Sequence, residues 1–316
     1  MTGKHRIILS NSKVMYDFYI ERNITIIMGD SGTGKSTFYK MIARMKDPSV
    51  RNGPHCNVKD KIEVLLSTDR DWHSRISTSS GKIFVADEHV WYIYTPEFAS
   101  LANQCDNYFI LVTRRALPNL CYSVSSIYHL DNMRLNGKPV NYLYARYLNS
   151  KVSVSPDVVI SEDSKSGFEM LSLALNYKVT SSNGNSNIYA RALENLKLGK
   201  TTYAVVDGAA FGAYAEQIVD LIQDYPDKLF VYAPESFEYL LLSEEHIKRD
   251  VVEELAHTYD YCDSNEYKSW ERYYTSLLNN WMLQHRGIPY SKSTLQDFFK
   301  TPTFVHHIRN SLVDLK

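Results

Sequence analysis

Ile24-Thr25-Ile26-Ile27-Met28-Gly29-Asp30-Ser31-Gly32-Thr33-Gly34-Lys35-Ser36-Thr37 decides how this chain is read. Ile24 to Met28 is a short apolar run that stops at a glycine, the pattern of a strand buried on both faces of a parallel sheet. Gly29 to Ser36 fits GxxxxGK[ST] without exception, and a helix is expected from Lys35 to Met45, ended near Asp47-Pro48. Glycines let a backbone approach an anion closely and supply amide donors, and a helix N-terminus adds a favourable dipole. Lys35 is then placed to reach the β- and γ-phosphates of a nucleoside triphosphate, and Ser36 to put its hydroxyl on Mg²⁺. The expected nucleotide contacts are Gly29, Asp30, Ser31, Gly32, Thr33, Gly34, Lys35, Ser36 and Thr37, with ATP or GTP as ligand.

Outward from this stretch, strand-like and helix-like segments alternate. Arg6 to Leu9 and Val14 to Ile20 read as strands, and Ser49 to Asn57 as a loop. Further strands are expected at Ile62 to Leu66, Lys82 to Ala86 and Tyr108 to Val112. Asn136-Gly137 separates Ile127–Leu130 from Val140–Tyr144, which predicts a hairpin. The strand Ile83-Phe84-Val85-Ala86 delivers Asp87 to the Mg²⁺ side of the phosphates and places Glu88 to polarise an attacking water. At the end of Phe109–Val112, Thr113 is a candidate γ-phosphate sensor and Arg114 or Arg115 a candidate for stabilising negative charge. An ordinary solvated strand end is an equally open reading there.

This arrangement resembles the P-loop ATPases of the ABC-like kind over roughly residues 5 to 130. The resemblance rests on Tyr19 to Met28 before the loop, the loop itself and Asp87-Glu88. The span between Lys35 and Asp87 is short and holds no LSGGQ-like stretch.

A boundary is expected in Asn149 to Pro156, after which the alternation restarts. Strands are expected at Val158–Ser161, Tyr177–Thr180, Tyr203–Val206 and Leu229–Tyr232. Helices are expected at Phe168–Leu175, Ile188–Leu196 and Ala213–Ile222, giving a second parallel sheet with helices on its faces. Glu162 and Asp207 follow the first and third of these strands, and Glu238 lies beyond the fourth. Acids at the carboxyl ends of neighbouring strands can converge on Mg²⁺ and so generate a nucleophilic water. Over residues 157 to 243 this half resembles the Toprim fold, in particular the Toprim domains of overcoming-lysogenisation-defect (OLD) nucleases and related phage-defence proteins. The resemblance implies metal-binding and catalytic roles for Glu162 and Asp207, and a metal-binding role for Glu238. It likens Ser182–Asn187 to the family's polar glycine loop. Ala209 stands where the family carries the second acid of its Asp-x-Asp.

From Glu244 onward the chain reads as helical, with Trp270, Tyr273, Tyr274, Leu277, Leu278, Trp281 and Met282 at core-packing spacing. Lys292 reads as a surface lysine, with a phosphate contact as the alternative, and His306-His307 as a solvent-exposed or packing pair ahead of a metal site. Formal net charge is −1 over 316 residues, so any DNA or RNA must meet a local basic patch. Lys268, Arg272, Arg286, Lys292, Lys300 and Arg309 are the candidates. Four cysteines without metal-ligand spacing read as free thiols in a reducing cytoplasm. No apolar window is long enough to span a membrane.

The expected fold class is α/β: an N-terminal P-loop NTPase sheet (1–150), a Toprim-like domain (151–243) and a helical C-terminal region (244–316). The expected function is a cytoplasmic ATPase joined to a Mg²⁺-dependent nuclease or a degenerate relative, with a phage- or mobile-element-defence context implied by the resemblance alone. Its catalytic residues would be Lys35, Glu88, Glu162 and Asp207. Its metal contacts would be Ser36, Asp87, Glu162, Asp207 and Glu238, and a homo-oligomer or a defence-system partner protein is possible. The alternative is a nucleotide-gated scaffold whose second domain cuts nothing. A kinase using the same loop is a third reading, disfavoured by Glu88.

Overall fold

The computed structural model describes residues 1–29, 32–147, 153–312 and 315. The chain forms two α/β units: residues 1–147 with 257–269, and residues 148–256 with 270–316. Part of the expected boundary, residues 149–152, lies outside the described residues. The stretch 244–316, expected as one region, is shared between the units. Its segment 257–269 is tied into the first by Gly3 N–H to Tyr259 O (2.6 Å), Ser264 N–H to Met1 O (3.1 Å) and Ser264 Oγ to Cys105 O (3.1 Å).

The first unit carries nine strands: β1 (His5–Ser10), β2 (Met15–Ile20), β3 (Ile24–Met28), β4 (His55–Cys56), β5 (Ile62–Val64), β6 (Lys82–Asp87), β7 (Asn107–Val112), β8 (Ile127–Leu135) and β9 (Lys138–Ala145). They form one sheet in the order β4-β1-β2-β9-β8-β3-β7-β6-β5. From β8 to β5 every neighbour is parallel. Two-residue β4 lies within the expected loop and pairs antiparallel with Leu9 and Ser10.

Helices α1 (Lys35–Lys46), α2 (Trp72–Ser77) and α3 (Pro96–Ala102) complete this unit's first 147 residues. Phe38, Met41 and Ile42 of α1 pack with Ile27, Val85 and Ile110 in one fully buried cluster. The alternate residues Phe84 and Phe109 stack on each other, and Phe98 of α3 meets Phe109 edge-on. Burial on both faces is why β3, β6 and β7 are continuous apolar runs. The β8–β9 hairpin turns on Asn136 (φ 51°) and Gly137 (φ 77°), the left-handed pair a two-residue turn needs.

The second unit is built on β10 (Val158–Ser161), β11 (Val179–Ser181), β12 (Thr202–Val205) and β13 (Leu229–Tyr232), all parallel, in the order β11-β10-β12-β13. Helices α4 (Ser166–Ala174), α5 (Ile188–Lys197), α6 (Gly212–Asp224) and α7 (Phe237–Leu242) follow the strands, and α8 (Glu245–Lys248) and α9 (Val252–Ala256) come next. The α4 helix starts two residues earlier than expected because Asp163 receives the Gly167 and Phe168 N–H groups (3.2 and 2.8 Å).

After α10 (Thr258–Tyr261) of the first unit, α11 (Trp270–Arg286) and α12 (Pro302–Ser311) return to the second. The aromatic stripe of α11 is core: Tyr273, Tyr274, Leu278, Trp281 and Met282 are buried. The order 2-1-3-4 puts the reversal of strand order between β10 and β12, and a crevice opens there beyond the strands' carboxyl ends. No helix among the described residues is long and apolar enough to cross a membrane.

Candidate functional site

In the first unit, β3 runs out at Gly29 (φ 128°), and Gly32 (φ 88°) and Gly34 (φ 94°) lead into α1. Asp30 and Ser31 lie outside the described residues. The Lys35 ammonium lies inside this loop, 6% exposed, and donates to Gly29 O (2.6 Å) and Thr33 Oγ1 (2.9 Å). Tyr16 of β2 donates its hydroxyl to Gly34 O at 2.8 Å. Burial pushes this phenol up to about 12, against a smaller pull from the Thr37 hydroxyl, so it stays a donor at neutral pH.

A cavity of about 340 Å³ faces the loop, lined by Gly32 to Thr37, Asp87, Glu88, His89, Val112 and Arg114. It joins the loop to the ends of β6 and β7. Asp87 is buried and its Oδ1 accepts the His89 N–H at 3.0 Å. Glu88 pairs with Arg114 (Oε1 to Nε, 3.4 Å). Strand β7 lies between β3 and β6, so its end is delivered between the loop and the acids.

Of the three candidates at the end of β7, only Arg114 lines this cavity. Thr113 is 1% exposed, and its hydroxyl is engaged by Tyr94 Oη (3.2 Å) and by the Arg115 backbone N–H (3.0 Å) and O (2.9 Å). A hydroxyl so committed is a strand-end lock, and the expected phosphate sensor is not realised in this geometry.

In the second unit, a cavity of about 450 Å³ opens where β10 and β12 end, and Glu162, Asp207 and Glu238 all line it. Glu162 Oε2 accepts the Asp207 N–H at 2.9 Å, and Asp207 Oδ1 accepts the Phe237 N–H at 3.0 Å. Burial raises the pKa of each of the three acids. Glu162 is pushed up to about 7, with the Asp207 amide opposing. Asp207 lies well above the usual carboxylate range, helped by the charge of Glu162. Glu238 is raised despite the pull of Lys292. Asp163 also lines the cavity, but its oxygens are spent capping α4.

Lys292 is inside the site. Its ammonium pairs with Glu271 (2.8 Å) and Glu238 (3.1 Å), and burial, which would lower its pKa, is outweighed by these two carboxylates. Tyr290 donates to Glu238 Oε1 at 3.3 Å, whereas Glu238 Oε2 is buried without a hydrogen-bond partner. The three acids share a cavity without sharing a coordination sphere: among the described residues, no group of three or more His, Cys, Asp or Glu side chains could hold a metal ion. Ala209 is buried, and its N–H donates to Glu235 O at 3.0 Å.

The six basic residues expected as a nucleic-acid patch are split. Arg272 and Lys292 line the cavity. Arg286 lies over the Phe298 ring (4.0 Å), Lys300 pairs with Asp297 (3.0 Å), Arg309 donates to Ala174 O (2.7 Å), and Lys268 belongs to the first unit. His307 is half-buried and contacts Leu240 O at 3.0 Å, whereas His306 is exposed and contacts Asn310 Nδ2 at 2.9 Å. Glu271 and Tyr290 went unread in the sequence. Glu271 opens an aromatic helix and carries no strand-end signature. No family model, curated protein or solved structure matches the chain.

Proposed function

We propose that this chain is a Mg²⁺-dependent nucleoside triphosphatase of the P-loop class, most simply an ATPase. The observation that carries the reading is the single cavity in which Gly32 to Thr37 face Asp87, Glu88 and Arg114. Lys35 neutralises the β- and γ-phosphates. Ser36 and Asp87 would hold the Mg²⁺ that arrives with the nucleotide, and that ion supplies charge neutralisation of the phosphates. Glu88 orients and deprotonates the attacking water. Arg114 has two anionic claimants, Glu88 and the γ-phosphate, so turning to the phosphate releases Glu88 for the water. The test is phosphate release. Glu88→Gln should still bind nucleotide but turn over at least a hundredfold more slowly, and full turnover would remove Glu88 from the mechanism.

The second unit is read as a Toprim-like acid site, in keeping with an OLD-like arrangement. The resemblance gives Glu162, Asp207 and Glu238 to Mg²⁺, but as placed the three form no group that could hold a metal ion, so no cleavage step is routed through one. Glu238 keeps one buried oxygen without a hydrogen-bond partner. A second reading, a nucleotide-gated scaffold with a non-catalytic second unit, is favoured by Lys292. Its ammonium already meets Glu238 and Glu271, and Ala209 offers no further acid.

A further inference from the structure

Besides the nucleotide cavity, the first unit has a second cleft, of about 580 Å³, lined by Ser67, Thr68, Asp69, Arg70, Trp72 and Trp91. Its floor is rigid. The Leu66 N–H donates to Asp69 Oδ2 (3.0 Å), the Asp69 N–H returns to Leu66 O (3.0 Å), and Tyr92 donates its hydroxyl to Leu66 O (3.3 Å). Trp72 stacks flat on Tyr92 (4.6 Å, 4°), and Trp91 stands edge-on to the same ring (5.6 Å, 88°). The two indoles therefore stand roughly at right angles and make a corner. Trp91 is 59% exposed, so its ring is accessible to a ligand in the cleft.

The charge in the cleft that lacks a partner is cationic. Asp69 is neutralised by Arg75 at 3.0 Å, and Arg75 also meets Glu63 at 3.1 Å. Arg70 is exposed and, among the described residues, has no ion pair or hydrogen bond. An indole corner with one uncommitted guanidinium is complementary to a planar base with a phosphate attached.

We infer that this cleft is a docking site for single-stranded nucleic acid, with an unpaired base stacked on Trp91 and a neighbouring phosphate on Arg70. A duplex would not fit, because its bases are already stacked on one another. A single cation gives a strand a foothold, unlike the amide-rich cradle that a free nucleotide meets at the glycine loop. The inference stands apart from the proposed NTPase, since the cleft needs no bound nucleotide.

The experiment is fluorescence anisotropy of a labelled oligothymidylate with the full chain at low salt, without nucleotide. The parent should bind the strand, and unlabelled strand should compete far better than the matching duplex or free thymidine monophosphate. Trp91→Ala should weaken binding roughly 5- to 150-fold, the range for one lost base–aromatic stack, and Trp91→Phe should recover part of it. Arg70→Ala should reduce the slope of log affinity against log salt by about 0.7, as one lost phosphate contact does on a single strand. Both side chains are exposed, so the variants keep the fold. No binding by the parent, equal competition by duplex or mononucleotide, or parental affinity in Trp91→Ala would each overturn the inference.

Discussion

Glu162→Gln should stabilise the second unit, and should do so only above acidic pH. Glu162 is pushed from an ordinary 4.5 to about 7, chiefly by burial. At ~1.4 kcal/mol for each tenfold change in proton affinity, the ionised carboxylate costs the folded state about 3 kcal/mol. The sign follows from which state releases its proton first. Below about pH 4.5 both states are protonated and the substitution changes little. As pH rises, the unfolded chain ionises while folded Glu162 stays protonated, so the parent loses stability until about pH 7 and then levels off. Glutamine keeps an oxygen for the Asp207 N–H, the 2.9 Å bond that Glu162 makes, and carries no charge at any pH. The assay is urea unfolding at several pH values in a Trp72→Phe/Trp91→Phe background, where Trp270 and Trp281 of α11 report the second unit alone. A stability difference that grows from near zero at pH 4.5 to about 3 kcal/mol at pH 8 is expected. A flat difference, or a Glu162→Gln protein less stable than the parent at pH 8, would refute the buried-charge account.

Lys292→Met should destabilise the same unit by up to about 3 kcal/mol at pH 8, because Glu238 is left buried and charged. The loss should shrink as pH falls, because the pKa of Glu238 is raised and it takes up a proton more readily, and Glu238→Gln in the same chain should recover most of it in parallel urea titrations. Gly34→Ala should cost about 1–2 kcal/mol from backbone strain at φ 94°, and its Cβ would press within 3.1 Å of the Tyr16 hydroxyl. A lowered melting temperature together with weakened nucleotide binding would show it, and an unchanged protein would mean that this loop geometry is wrong.

What could be read in advance divides along physical lines. β3, β6 and β7 were legible because burial on both faces leaves unbroken apolar runs, and the β8–β9 hairpin because Asn136-Gly137 specifies its turn. Two-residue β4 was missed, since a strand that short has no periodicity to see. Helix α3 announces itself with Thr95-Pro96, whose Oγ1 accepts the Phe98 N–H at 3.2 Å, but its seven residues make too short an amphipathic signal to stand out. Glu162 and Asp207 were legible as acids following buried strands. That Lys292 and Glu271 stand beside them was not, because nothing local marks either for that place. They reach the cavity through the packing of α11 and the segment beyond it, and such long-range placement leaves no trace in a sequence window. The segment 257–269 was opaque for the same reason: its membership in the first unit rests on hydrogen bonds to Met1, Gly3 and Cys105, far away in the chain.

The most direct test of the central claim is a calorimetric titration of Mg²⁺–ATP, with Mg²⁺–GTP in parallel, into the parent and into Lys35→Ala whose fold has been checked by circular dichroism. The parent should bind one nucleotide per chain. Lys35→Ala should bind on the order of a hundredfold more weakly, as loss of a buried charge partner for phosphate costs several kcal/mol. Parental affinity in Lys35→Ala, or no uptake of either nucleotide by the parent, would contradict the assignment of the glycine-rich loop as the nucleotide site.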